Sequence, residues 1–148
     1  MLLETLKLLF ARDLGKLTAE LELYHHESRI WHVEKGIANS AGNLCLHLVG
    51  NLNTYIGAGL GCTGYVRERA REFSATGIPR PELLRAIAET KAVVDKALTD
   101  LTPDALAQEY PLLVFDHKTS TEYLLVHLAT HLTYHLGQVN YHRRLLDE

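Results

Sequence analysis

Four of the chain's nine histidines, His127, His131, His135 and His142, fall in the single stretch from Thr121 to Arg144. On an α-helix, at ~100° per residue, these four and Gln138 occupy an arc of roughly 80°. Leu128, Leu132, Leu136 and Val139 lie beside that arc, so the imidazoles border an apolar face. A polar stripe next to the buried side of a helix is where a bundle places a metal or a substrate pocket.

A second element supplies a partner. The sequence predicts a helix from about Ala41 to Ile56, capped by Asn39 or Ser40, with Leu44, His47, Leu48, Asn51 and Tyr55 on one side. His47 interrupts that largely apolar face; taken alone, it reads as a hydrogen-bonded core histidine. Set against two histidines four residues apart on another helix, it becomes the third imidazole for one divalent ion. Three protein ligands leave a coordination position open for water or substrate. By spacing alone the pair is either His127 with His131 or His131 with His135. Cys45 lies two residues before His47, ~200° around the helix, so the two do not share an ion. Cys45 and Cys62 match no zinc motif and no disulfide framework, and both read as free, partly buried thiols. His25, His26 and His32 read as exposed loop histidines.

Two further long helices are needed to hold these faces together. Leu3, Leu6, Phe10, Leu14, Leu17 and Leu21 recur every three or four residues, which predicts an amphipathic helix over residues 2–24. The pattern breaks from His25 to Ser40. Four glycines in GAGLGCTG, residues 57–64, lack the lysine and hydroxyl residue of a phosphate loop, so they end the second helix and begin a flexible connection. Arg67, Arg69 and Arg71, interleaved with Glu68 and Glu72, read as a solvated or ion-paired surface. Pro81 can open a helix that carries Leu83, Ile87, Val94, Ala97 and Leu101, followed by a short helical segment from Pro103 that Pro111 stops. Residues 112–118 read as extended or irregular, and Thr119 or Ser120 caps a last helix that continues to about Leu146. With no strand pattern, the economical fold is all-α: a four-helix bundle with a long connection between helices 2 and 3, one domain over residues 1–148.

The bulk composition narrows the function classes. A net charge of −3 and the lack of a long basic run argue against nucleic acid as the main partner. No stretch approaches the roughly 18 apolar residues of a membrane span, and the N-terminal segment has no uninterrupted signal-peptide core, so the expected location is the cytoplasm.

His47 within GNLCLHLVGNL, followed by His131, His135, Gly137 and Gln138 within HLTYHLGQ, resembles the DinB-like (DinB/YfiT) superfamily of metal-dependent enzymes. The helix order and the long connection agree with it over nearly the whole chain. The resemblance implies that His47, His131 and His135 hold the metal. The Gly-Gln after His135 favours this pair over His127 with His131, and leaves His127 and His142 as neighbours of the site. Gln138 is then expected to bond a bound water or to set the helix position. The resemblance also implies zinc by default or nickel, a low-molecular-weight thiol cofactor in several relatives, a small-molecule substrate and a homodimer.

The leading expectation is therefore a thiol S-transferase or hydrolase in which the ion activates a thiol or water. The alternatives are a non-catalytic metal-binding or stress-response bundle, and a helical interaction protein with histidines in its core. Glu27, Asp116 and Tyr134 are the acid–base candidates by composition, none of them assigned.

Overall fold

The computed structural model describes residues 1–148 as helices α1 (Leu2–Glu22), α2 (Ala41–Leu52), α3 (Arg69–Ser74), α4 (Arg80–Asp100) and α5 (Thr121–Leu146). Single turns of 3-10 helix cover Glu27–Trp31 and Pro103–Ala107, and there is no strand. The four long helices form a bundle in which α1 packs on α4 and α5, and α2 packs on α4 and α5 across from it. α3 lies within the long connection and rests against α2.

The predicted apolar stripes are the observed core. Leu6, Phe10, Leu14, Leu17 and Leu21 of α1 meet Leu83, Ile87 and Val94 of α4, and Leu124, Leu128, Leu132 and Val139 of α5, in one cluster. Burying one such leucine contributes ~1.5–3 kcal/mol, which favours this arrangement of faces over a slipped one. Ser40 caps α2, its Oγ accepting from the Asn43 amide at 3.1 Å, and Ser120 caps α5 in the same way through Tyr123. Each cap satisfies an amide that the helix itself leaves unpaired.

The second helix departs from the expected continuous run to Ile56. Its α-helical part ends at Leu52, and Asn53–Ala58 form a wider π turn. The Tyr55 carbonyl accepts from the Tyr110 hydroxyl at 2.7 Å. Only glycine fits at position 59, where a Cβ would lie 2.0 Å from the Tyr110 oxygen. Residues 112–118 form an irregular loop closed at its base by a single bridge between Glu109 and Ser120. Cys45 is buried and Cys62 exposed, so the expectation of two partly buried thiols divides into one of each kind. No helix is long and apolar enough to cross a membrane.

α2 and α5 run antiparallel. Leu44, early in α2, shares a pocket wall with Gln138, Tyr141, His142 and Leu145, late in α5. One turn further along α2, His47 meets His131 and His135.

Candidate metal centre

His47 projects from the middle of α2, and His131 and His135 from successive turns of α5. Their Nε2 atoms converge: His131 Nε2 lies 3.2 Å from His47 Nε2 and 3.1 Å from His135 Nε2. One nitrogen from each ring lies within 4.8 Å of the other two. His47 is buried, and the α5 pair is half-buried.

The outer nitrogens decide what those converging atoms can be. Glu72 Oε1 accepts from His47 Nδ1–H at 3.1 Å, so His47 Nε2 carries a lone pair. Gln138 Oε1, in the amide orientation assigned to it, accepts from His135 Nδ1–H at 2.7 Å, and His135 Nε2 is likewise a lone pair. His131 Nδ1 is buried without a partner. Two inward lone pairs and a third imidazole cannot satisfy one another as a hydrogen-bonded core, because one N–H at most serves both contacts. They do suit a cation: an ion ~2.0–2.1 Å from each of two tetrahedral ligands sets those ligands ~3.3 Å apart, close to the separations seen here. The three residues fit a divalent metal.

Burial, followed by the fields of His135, His47, His127 and Arg67, pushes His131 down to about 4. Burial also lowers His47, against the opposing pull of its hydrogen bond to Glu72. Both imidazoles are therefore neutral at pH 7 and have their nitrogen lone pairs available.

Glu72 holds the second half of this geometry. It is 5% exposed, and Arg67 clasps it with Nε on Oε2 and Nη2 on Oε1, both at 2.8 Å. Arg67 Nη2 also lies 3.3 Å from His47 Nδ1, but the shorter contact to Oε1 takes its proton, and the carboxylate serves both donors. Asn43 fixes α3 in place by donating to the carbonyls of Glu72 and Ala75 at 3.0 and 2.8 Å. Gly50, one turn after His47, opens the face of α2: a Cβ there would lie 2.0 Å from Glu72 Oε2. Of the expected solvated or ion-paired surface, Arg69 and Arg71 lie exposed, while Arg67 and Glu72 are ion-paired but turned inward. Alternating charges conceal which carboxylate is turned inward, and the one local signal was Gly50 on the histidine face.

The other predicted residues fall around the centre. His127 stays outside the converging group; its ring stacks on His131 at 6.0 Å and meets the edge of Phe115 at 4.8 Å. Gln138 bonds His135 directly. His142 is buried between the Tyr24 hydroxyl at 2.6 Å and the His32 carbonyl at 2.8 Å. Tyr134 packs on His135 at 5.2 Å. Glu27 instead accepts from the first amide of α4, and Asp116 pairs with His117 in the exposed loop. The side chains of His25 and His26 are exposed, while their amides donate to Asp147 near the C-terminus. Phe73 of α3 packs against His47 at 5.1 Å, an aromatic neighbour that sequence reasoning passed over.

A comparison with curated proteins returns no match. A comparison with family models matches residues 19–139 to the DinB superfamily, a span that takes in α2, the connection carrying Glu72, and α5 as far as Val139, with His47, His131 and His135 inside it. The chain belongs to the DinB superfamily.

Proposed function

We propose that this protein is a metal-dependent enzyme in which His47, His131 and His135 hold a divalent ion, zinc by default and nickel as the alternative. Its substrate class is a small electrophile, and the reaction is transfer of a low-molecular-weight thiol or hydrolysis. The observation that carries the reading is the convergence of three Nε2 atoms, two of which are held as lone pairs by Glu72 and Gln138. A divalent ion with an open position lowers the pKa of a thiol or water, which supplies a nucleophile at neutral pH.

The chain's own residues do the rest. Glu72 keeps the His47 proton on Nδ1 and raises the basicity of the opposite nitrogen, and Arg67 fixes the carboxylate that does so. Gln138 performs the same task for His135 from within α5. Phe73 packs its ring against that of His47, at 5.1 Å between centroids. Of the three acid–base candidates, Tyr134 alone packs on a histidine of the centre, and Glu27 and Asp116 are engaged elsewhere.

The test is to load purified protein with zinc or nickel and assay a panel of thiols with electrophiles, and esters or amides with water. Turnover that disappears in His135→Ala supports the enzyme. Stoichiometric metal without turnover on any of them favours the second reading, a non-catalytic metal-binding bundle, which the same convergence of nitrogens supports. Side-by-side pairing of two copies belongs to the proposal as well. Leu2, Leu6, Leu9, Val126 and Tyr134 line an open groove of about 480 Å³ between α1 and α5, suited to a second bundle. A concentration-independent monomer mass in ultracentrifugation would exclude the pair.

A further inference from the structure

Each imidazole that holds a metal through Nε2 carries its proton on Nδ1 and needs an acceptor there. In this centre the acceptors are built for two rings of three: Glu72 serves His47, and Gln138 serves His135. His131 Nδ1 is buried with no partner. One buried side-chain acceptor in the chain is in the same condition, the Oδ1 of Asn51, a residue only 7% exposed. The remaining unpartnered atom, Arg80 Nε, is a donor at the start of α4, where its guanidinium reaches the Glu22 carbonyl.

The two orphans are complementary, and the helix register puts them on facing surfaces. Asn51 follows His47 by four residues, which keeps it on the same face of α2 within ~40°. Because α2 and α5 are antiparallel, moving one turn on from His47 along α2 moves back along α5, from the level of His135 towards that of His131 and His127. The next side chain on the histidine face of α2 is thus at the level of the one ligand candidate without an outer partner.

We infer that Asn51 is a positioning residue of the metal centre, its side-chain carbonyl accepting the Nδ1–H of His131 when an ion is held on the three Nε2 atoms. This rests on the metal reading above. Without an ion, the His131 proton can sit on Nε2 and serve one of its two imidazole neighbours, at 3.1 and 3.2 Å. An ion claims that lone pair, so the proton occupies Nδ1. A rotation about the broad terminal torsion of Asn51 then brings its oxygen round as acceptor. Binding and outer-partner formation are coupled by which nitrogen carries the proton.

The experiment compares cobalt and zinc affinity, by competition with a chromophoric chelator, for the unaltered protein, Asn51→Ala and Asn51→Asp. Asn51→Ala is expected to bind about 10–100-fold more weakly, the usual effect of losing an outer partner, while Asn51→Asp keeps an acceptor and recovers most of the affinity. Imidazole proton–nitrogen spectra supply a readout that general loosening would not mimic. The zinc-loaded protein should show a slowly exchanging His131 Nδ1–H, which Asn51→Ala alone removes. Affinity within about twofold of the unaltered protein, with that resonance intact, overturns the assignment. Should Asn51→Ala fail to fold, a crystal structure of the zinc-loaded protein decides: an Oδ1–Nδ1 distance of about 3.2 Å or less supports it and one beyond about 3.5 Å overturns it. Unaltered protein that takes up no ion sinks the metal reading itself, whereas tight binding that ignores Asn51 sinks only this inference.

Discussion

One helix carries two kinds of inward-facing histidine. Near the end of α5, His142 has a partner for each nitrogen, the Tyr24 hydroxyl and the His32 carbonyl, and so ties α5 to the end of α1 and to the following loop. Two to three turns earlier, His131 and His135 direct their Nε2 atoms at each other and at His47. Burial lowers both His142 and His131, so protonation behaviour alone does not separate them. What separates them is satisfaction: the first belongs to a closed hydrogen-bond chain, and the second to a set of lone pairs that protein donors leave open. Residue type and helical phase are shared, and the elements facing them differ.

The sharpest way to break this contrast is to delete each ring in turn. His131→Ala removes one of the three proposed ligands and is expected to weaken zinc or nickel binding by roughly 100-fold or more, since a structural ion's ~10–16 kcal/mol is shared among about four ligands. Thermal unfolding of the metal-free variant should stay close to that of the parent, because the ring is half-buried beside the core. His142→Ala should do the reverse. It leaves a buried hydroxyl and carbonyl unpaired at a cost of about 1–3 kcal/mol each, visible as a lower denaturant midpoint, with metal affinity nearly unchanged. If both variants lost metal and stability together, the two regions would not be distinct.

Acid sharpens the same comparison. A histidine whose folded pKa is depressed contributes stability that is full above its unfolded value, near 6.5, and is lost as pH falls towards the folded value. For His131 that window runs from about 6.5 down to about 4, and His47 and His142 shift in the same direction. Metal-free protein should therefore lose stability progressively below pH 6.5, by urea titration at a series of pH values. Bound metal should raise stability near neutrality and deepen the part of the loss due to His47 and His131, because the ion keeps both rings unprotonated in the folded protein until protons displace it. The part due to His142 should persist with metal present and be absent from the profile of His142→Gln. A pH profile identical with and without metal would contradict the assignment.

Moving outward, Glu72→Gln tests the support behind His47. It removes the charge that favours the Nδ1–H tautomer, and a 10–100-fold loss of metal affinity is expected, measured by chelator competition. Gly50→Ala reaches the same carboxylate without touching it chemically, since the new methyl would overlap Oε2 and displace it. Its affinity loss should match that of Glu72→Gln in direction and be smaller. Glu72→Gln with undiminished affinity would reduce the Arg67–Glu72 pair to a tether for α3.

These residues also show what could be read from the chain. The leucine periods of α1 and α5 are repeated, strong and one-sided, so they identified the buried faces of the bundle that the structure displays. The histidine trio was readable once two helices were considered together, because its members keep helical phase with those leucines. Glu72 was not readable. It lies on a six-residue helix too short to have a period, and its burial depends on Asn43 anchoring that helix from 29 residues away in sequence and on space left by Gly50. The π turn after Leu52 was hidden for a related reason: its stability depends on a hydroxyl 55 residues along the chain.

Gly137 provides the smallest and most selective probe. It lies between His135 and Gln138, in the part of the motif that carries the family resemblance, yet a Cβ built on it meets nothing within 4 Å. It is helical and faces out of the bundle, so neither a left-handed turn nor a close approach within the chain requires glycine there. Gly137→Ala should therefore stabilise α5 by about 0.5–1 kcal/mol, through the backbone freedom that glycine loses on folding. Metal affinity should not change, because Gln138 keeps its place on His135. Gly50 and Gly137 then form a matched pair on the two histidine-bearing helices: one methyl collides with a support of the centre, and the other enters open space. A measured loss of metal or stability at Gly137 would mean that something outside this chain approaches that face, and a second copy packed against α5 is the first occupant to test by ultracentrifugation of the variant.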